Sequence, residues 1–229
     1  MKNILIIGGS SGIGLALAQE LAATSNLFIA SRSKDSLQGI ACTHIPFDAL
    51  TDTLEGITLP ELHGFVYCPG SINLRPFKGL KPTTFQVDFE INVLGALKAL
   101  QSVEKNLQNS GQASVVFFST VAVQTGMPFH ASVAAAKGAI EGLTRSLAAE
   151  WAPKIRVNCI APSLVNTQLA DKFLNNEAKL EKASERHPLQ RVGSPKEIAE
   201  AVSFLLGEKS GWMTGQILGI DGGIGSLKT

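Results

Sequence analysis

Glycine supplies the first chemical clue. Gly8, Gly12 and Gly14 stand in the run Ile6-Ile7-Gly8-Gly9-Ser10-Ser11-Gly12-Ile13-Gly14, directly after a short apolar segment and before a stretch of helical pattern. Residues without a Cβ let the chain turn sharply and let backbone approach a ligand closely. A helix starting at such a turn offers free N–H groups and the positive end of its dipole, which suits a pyrophosphate. Gly8, Ser10, Ser11, Gly12, Ile13 and Gly14 are therefore the candidate contacts to a nucleotide. The same glycines could serve a turn that binds nothing; a strand before and a helix after favour the nucleotide.

The elements that must position this loop follow in regular alternation. Asn3–Ile7, Leu27–Ala30, Thr43–Phe47, Gly64–Cys68, Ser114–Phe118, Arg156–Ile160 and Gln216–Ile220 read as short buried strands. Between them lie helical patterns at Gly12–Ala23, at Thr83–Asn109 (one or two helices), from Ala131 to Ala152, at Asn175–Arg186 and from Pro195 to Leu206. This order implies βαβ units. The expected fold is α/β: a Rossmann-like doubly wound parallel sheet of about seven strands with helices on both faces. With no linker, repeat or low-complexity tract, residues 1–229 read as one NAD(P)-binding domain.

Composition narrows the classes. The 229 residues are 45% hydrophobic and 17% charged, with a formal charge of +1. No basic stripe suggests a nucleic-acid partner. The apolar runs are too short to span a bilayer, and the first lacks a signal-peptide cleavage site. Cys42, Cys68 and Cys159 are widely spaced with no CxxC pair, which argues against a disulfide framework or a metal site. A reduced, cytoplasmic setting is the expectation.

The spacing Gly8-x-x-x-Gly12-x-Gly14 resembles the glycine motif of the short-chain dehydrogenase/reductase family, and the resemblance runs over nearly the whole chain. Asn92, in Ile91-Asn92-Val93-Leu94-Gly95, looks like that family's active-site asparagine. Thr120 and Lys137 fall where its serine and lysine stand. Arg156–Pro162 and Gly215–Gly223 resemble its strand before the nicotinamide loop and its C-terminal strand and turn. The resemblance implies a nicotinamide cofactor. In place of an acid after the second strand stand Ser31 and Arg32, and a guanidinium suits a 2′-phosphate, so NADP(H) is expected over NAD(H). Asp48 resembles the aspartate beside the adenine, Gly70 the end of the family's NNAG segment, and Val165 and Thr167 the loop that fixes carboxamide and phosphates. Each also has a plain structural reading as a turn, cap or loop residue.

The family uses a tyrosine acid four residues before its lysine. Counting back from Lys137 gives Val133, and the chain's single tyrosine is Tyr67. Valine has no proton to give, and losing a general acid typically costs about 10²–10⁴-fold in rate. His130, three residues before Val133, is a candidate replacement if the helix already runs there, and faces solvent or the substrate loop if it precedes the helix; Ser132 would point about 100° away from that face. The catalytic set thus reads Asn92, Thr120, Lys137 and His130. It implies an NADP(H)-dependent oxidoreductase that moves hydride between nicotinamide and a ketone or secondary alcohol, with an atypical proton donor. The alternative is a catalytically silent NADP(H)-binding protein acting as sensor or partner subunit. Gly138, Ala139 and Gly142 would let another helix approach closely, and the resemblance implies a homodimer or homotetramer. His187 shows no partner in the sequence and reads as structural, and His44 gives no functional signal.

Overall fold

The computed structural model describes residues 1–228. Seven strands form one parallel sheet: β1 (Lys2–Ile7), β2 (Ser25–Ser31), β3 (Cys42–Pro46), β4 (Gly64–Tyr67), β5 (Ala113–Phe118), β6 (Ile155–Pro162) and β7 (Ile217–Ile220). Their order is β3-β2-β1-β4-β5-β6-β7. The chain winds outward from β1 in one direction and from β4 in the other. A crevice therefore opens above the C-terminal ends of β1 and β4, where a parallel sheet of this kind takes ligands.

The β-branched runs form strands because both faces are buried. Alternate residues of β1 serve different layers. Ile4 and Ile6 join Ile29, Leu17 and Val202 on one face, and Leu5 and Ile7 join Phe65, Phe117, Leu100 and Ile140 on the other. Helix α1 (Gly12–Leu21) contributes Leu17 to the first layer. The second layer is covered by a helix that the sequence left as one or two. It comprises α2 (Pro82–Phe89), a π turn at Glu90–Leu94 and α3 (Gly95–Asn109).

After β5 come the single turn α4 (Ala122–Thr125) and the long α5 (Ala131–Trp151). The expected polar helix is shorter than its pattern: α6 (Asp171–Leu174) precedes α7 (Glu177–Glu185). Helix α8 (Pro195–Leu206) opens on a full capping box, in which Glu197 N–H donates to Ser194 Oγ at 3.3 Å and Ser194 N–H to Glu197 Oε2 at 2.9 Å. Strand β6 runs two residues past its expected end because Pro162 pairs in register with Ile220. Among the described residues no helix is long and apolar enough to cross a membrane.

Candidate functional site

The glycine loop leaves β1 at the crevice. Gly8 and Gly12 hold φ values of +77° and +51°, a region that L side chains rarely adopt. At Gly14 a Cβ would collide with the Gly8 carbonyl, so the helix can pack onto its own loop only with glycine there. Ser11 caps α1 in an extended conformation without using its side chain, and the first turn carries no acid. The amide end of the helix dipole is thus open to an anion. Thr167, from the loop after β6, packs its Cγ2 3.3 Å from where a Gly12 Cβ would stand. The two segments expected to meet a cofactor from opposite sides are in contact. Val165 is buried and bridges to Gly193, which fixes that loop.

The end of β2 differs from expectation in one respect. Ser31 is buried, donates its hydroxyl to the Ser33 carbonyl at 2.9 Å and has His44 Nε2 at 3.1 Å. Its side chain is committed to its own loop, and His44, which gave no signal in the sequence, is what holds it. Arg32 is exposed beside it at the strand end. Asp48 Oδ1 accepts from the Leu50 amide at 2.9 Å, a turn-capping bond, at the same edge of the sheet.

The deepest polar cluster sits on the π turn. A π turn frees carbonyls from the helical ladder. The Ile91 carbonyl is taken by the Tyr67 hydroxyl at 2.6 Å, for which Gly95 makes room. The sole tyrosine is thus a structural clamp, and burial raises its pKa. Asn92 is buried on the same turn. Its Nδ2 donates to the Asp88 carbonyl at 2.7 Å and to Ser71 Oγ at 2.8 Å. Ser71 must accept there, because its own hydroxyl donates to Asp88 Oδ1 at 2.5 Å. The fully buried Asp88 also accepts from Asn73 Nδ2 at 2.6 Å and from Ser132 Oγ at 2.5 Å.

A carboxylate only accepts, so the hydrogen-bond direction is set from Asp88 outward and the Asn92 amide has one orientation. Asn92 Oδ1 is left buried without a partner. It lies 3.2 Å from where a Gly70 Cβ would be, and Lys137 Nζ lies 3.5 Å from the same point. An acceptor oxygen and an amine flank a space that any side chain at 70 would fill. Asp88, Ser71 and Ser132 were not expected as members of this cluster.

Lys137 is buried and donates to the Phe118 carbonyl at 2.9 Å. Burial drives its pKa down to about 8, with Cys159, Cys68 and Asp88 opposing the shift. The neighbouring Cys68 is pushed up to about 12 by its own burial. Thr120, Val133, Lys137, Gly70 and His130 all line one cavity of about 470 Å³. Val133 forms part of its wall one helical turn before Lys137. Thr120 Oγ1 accepts only a weak 3.3 Å bond from the Ala122 amide and retains its own proton.

His130 does not share a helix face with Val133 and Lys137, the condition on which its candidacy as the acid was built. It is the cap residue before α5, with φ −96° and ψ 6°, because the helix begins only at Ala131. It still reaches the cavity, with Nδ1 2.8 Å from the Pro128 carbonyl. That bond places the neutral ring's proton on Nδ1, so Nε2 donates only from the imidazolium. His187, whose partner the sequence does not identify, has a structural role with two partners: Nδ1 lies 2.8 Å from the Ala183 carbonyl and Nε2 2.8 Å from Ser163 Oγ. It ties α7 to the loop after β6.

The open helix end, the cradle at Gly70 and the orphaned Asn92 oxygen fit a nicotinamide dinucleotide lying across the crevice. Comparison with known proteins points the same way. A family model described as "Enoyl-(Acyl carrier protein) reductase" matches residues 47–225. A solved short chain dehydrogenase family protein from Francisella tularensis is 29% identical, covers 99% of this chain and 100% of its own, and superposes with a TM-score of 0.89. The chain is a short-chain dehydrogenase/reductase. It is 31% identical to a chloroplastic tropinone reductase homolog of Arabidopsis thaliana over 97% of this chain and 75% of that protein. A structure described as ElxO with NADP bound is 25% identical, with a TM-score of 0.88 over 99% of both chains. As a member of this family of oxidoreductases, the short-chain dehydrogenase/reductase shares its relatives' fold from end to end.

Proposed function

We propose that this short-chain dehydrogenase/reductase is an NADP(H)-dependent oxidoreductase of ketones or secondary alcohols whose proton does not come from a tyrosine. One observation carries the reading: Asn92 Oδ1 and Lys137 Nζ meet at Gly70, and Gly70 and Lys137 share a cavity lining with Thr120 and with Thr167, which packs on the glycine loop at Gly12. When bound, the nicotinamide supplies hydride to the substrate carbon or takes it back. The residues of this chain do the rest. The glycine loop and the α1 amides hold the diphosphate, with Ser10, Ser11 and Ile13 along it. Arg32 meets the 2′-phosphate as a guanidinium fork. Asp48 borders the adenine, and Val165 with Thr167 holds the carboxamide end. Lys137 and Asn92 Oδ1 hold the ribose and a water, and Thr120 donates to the substrate oxygen.

Val133 stands at the family's tyrosine position and closes the usual proton route. The proton arrives from water ordered by Thr120 and Lys137, or from His130 as the imidazolium. The presence of an ElxO–NADP complex among the structural relatives supports the cofactor class. The α5 face carrying Gly142 has nothing within 4 Å of where its Cβ would stand, which supports pairing of this helix with a second copy in a homodimer or homotetramer.

The test is a titration of purified protein with NADPH and NADH, followed by NADPH consumption on a ketone panel. NADPH should bind about tenfold or more tightly, the worth of one charge-assisted contact, and at least one ketone should be reduced slowly. Equal affinities would remove the role of Arg32. Tight NADPH binding with no turnover on any ketone would remove the oxidoreductase reading.

A further inference from the structure

The cavity that holds Gly70 and Lys137 has a second group of lining residues with a character of its own. Apart from Lys137, the charged residues lining it are Lys172, Lys179, Lys182 and Arg186. All are cations, and all come from α6, α7 and the residue after it. Along α7, Lys179, Lys182 and Arg186 follow at helical spacings that share a face. Glu177, Glu181 and Glu185 of the same segment are absent from the lining. The helix therefore sorts its charges, with cations toward the cavity and acids elsewhere.

Two of the cations are already engaged. Lys172 Nζ donates to the Ile72 carbonyl at 2.7 Å, and Lys179 Nζ to the Lys172 carbonyl at 3.0 Å and Asn175 Oδ1 at 2.8 Å. Lys182 and Arg186 form no ion pair among the described residues. Lys182 and Arg186 are exposed, whereas Val133 is buried in the wall, and the same lining carries the apolar Leu74, Met127, Leu164, Leu169 and Phe173. A cavity with a buried wall at Val133, apolar side chains, and cations without ion pairs at its exposed rim specifies a ligand chemistry.

We propose that the substrate is an apolar carbonyl compound bearing an anionic group, a carboxylate or a phosphate, at the end remote from the reacting carbon. Lys182 and Arg186 read the anion, and the apolar lining takes the body between. This rests on the reading above that the carbonyl reacts beside Val133. Charge matching at a cavity mouth also speeds capture of an anion and disfavours cations.

The experiment measures binding of octanoate, octyl phosphate, octanol and octylammonium to the full chain, free and NADPH-loaded, by calorimetry. At least one anion should bind about tenfold more tightly than octanol, as expected for two partly exposed charge contacts, and octylammonium should bind less tightly than octanol. The stronger of the two anions identifies the headgroup. In the Lys182→Gln/Arg186→Gln double variant the anion preference should fall below about twofold with NADPH affinity unchanged.

Equal binding of octanol and both anions, binding of none of the four, or a preference that survives the double substitution would overturn the proposal. So would a loss of NADPH affinity in that variant, which would assign these cations to the cofactor. A chain that binds no NADPH yet keeps the anion preference when free would overturn the oxidoreductase reading and not the anion site.

Discussion

Replacing Val133 by Tyr puts the argument about the proton at risk. Val133 is only 4% exposed, yet it borders the cavity. A larger side chain there grows into about 470 Å³ of open space rather than into packed core. One turn further along α5 stands Lys137, whose ammonium is retained at neutral pH with a pKa of about 8. A cation this close lowers the pKa of a phenol and favours proton release. A positioned general acid contributes about 10²–10⁴-fold, equivalent to about 3–5 kcal/mol of barrier. V133Y should therefore raise kcat on a ketone by that factor, with NADPH affinity little changed.

The assay is NADPH consumption at saturating cofactor, with kcat and KM separated, beside V133F as a control for ring volume without the hydroxyl. A gain in V133Y of less than about tenfold with NADPH still bound would refute the idea that proton supply limits this site. An equal gain in V133F would refute it as well, because packing would then be the cause.

Asp88→Asn should destabilise the chain by about 1–3 kcal/mol, because Asp88 is fully buried and one of its three hydrogen-bond donors then faces an NH₂ group. NADPH binding should change little, because the Asp88 main-chain carbonyl still accepts from Asn92 Nδ2; urea melts and a cofactor titration check the two effects. Lys137 has a folded pKa of about 8 against an ordinary 10.5. Between those values the unfolded chain holds a proton that the folded chain does not, so stability should climb with pH across this window and fall back as pH drops through 8. Denaturant midpoints measured over that range should show the slope, and Lys137→Met should flatten it. Ser194→Ala removes the cap of α8 and should cost about 1 kcal/mol, lowering the melting temperature by about 2–4 °C in calorimetry.

The sheet was legible because each strand is a short apolar run buried on both faces, and the glycine loop because its turn, strand and helix are contiguous. The landmarks at Asn92, Thr120 and Lys137 were legible as a set through their order along the chain. The cluster around Asp88 was not. Its partners Ser71, Asn73 and Ser132 are 17, 15 and 44 residues away, and neither periodicity nor motif links them. His187 hid its role for the same reason, since Ser163 lies 24 residues upstream. His130 precedes the helix, as the pattern starting at Ala131 implied, and a single residue at that boundary decides whether a side chain shares a face. Ser31 carried a misleading signal: it fills the position of a ribose acceptor, but its hydroxyl is consumed by Ser33 and His44. On α7 the spacing of cations against acids was visible in the sequence, yet only the fold shows which face meets the cavity.

The most direct measurement is a calorimetric titration of the purified chain with NADPH. Saturable binding of one molecule per chain, weakened by Asn92→Leu and by Lys137→Met, is the predicted result. No heat with either NADPH or NADH at millimolar concentration would contradict a dinucleotide site at the β1–β4 crevice, and with it every role assigned to the residues around it.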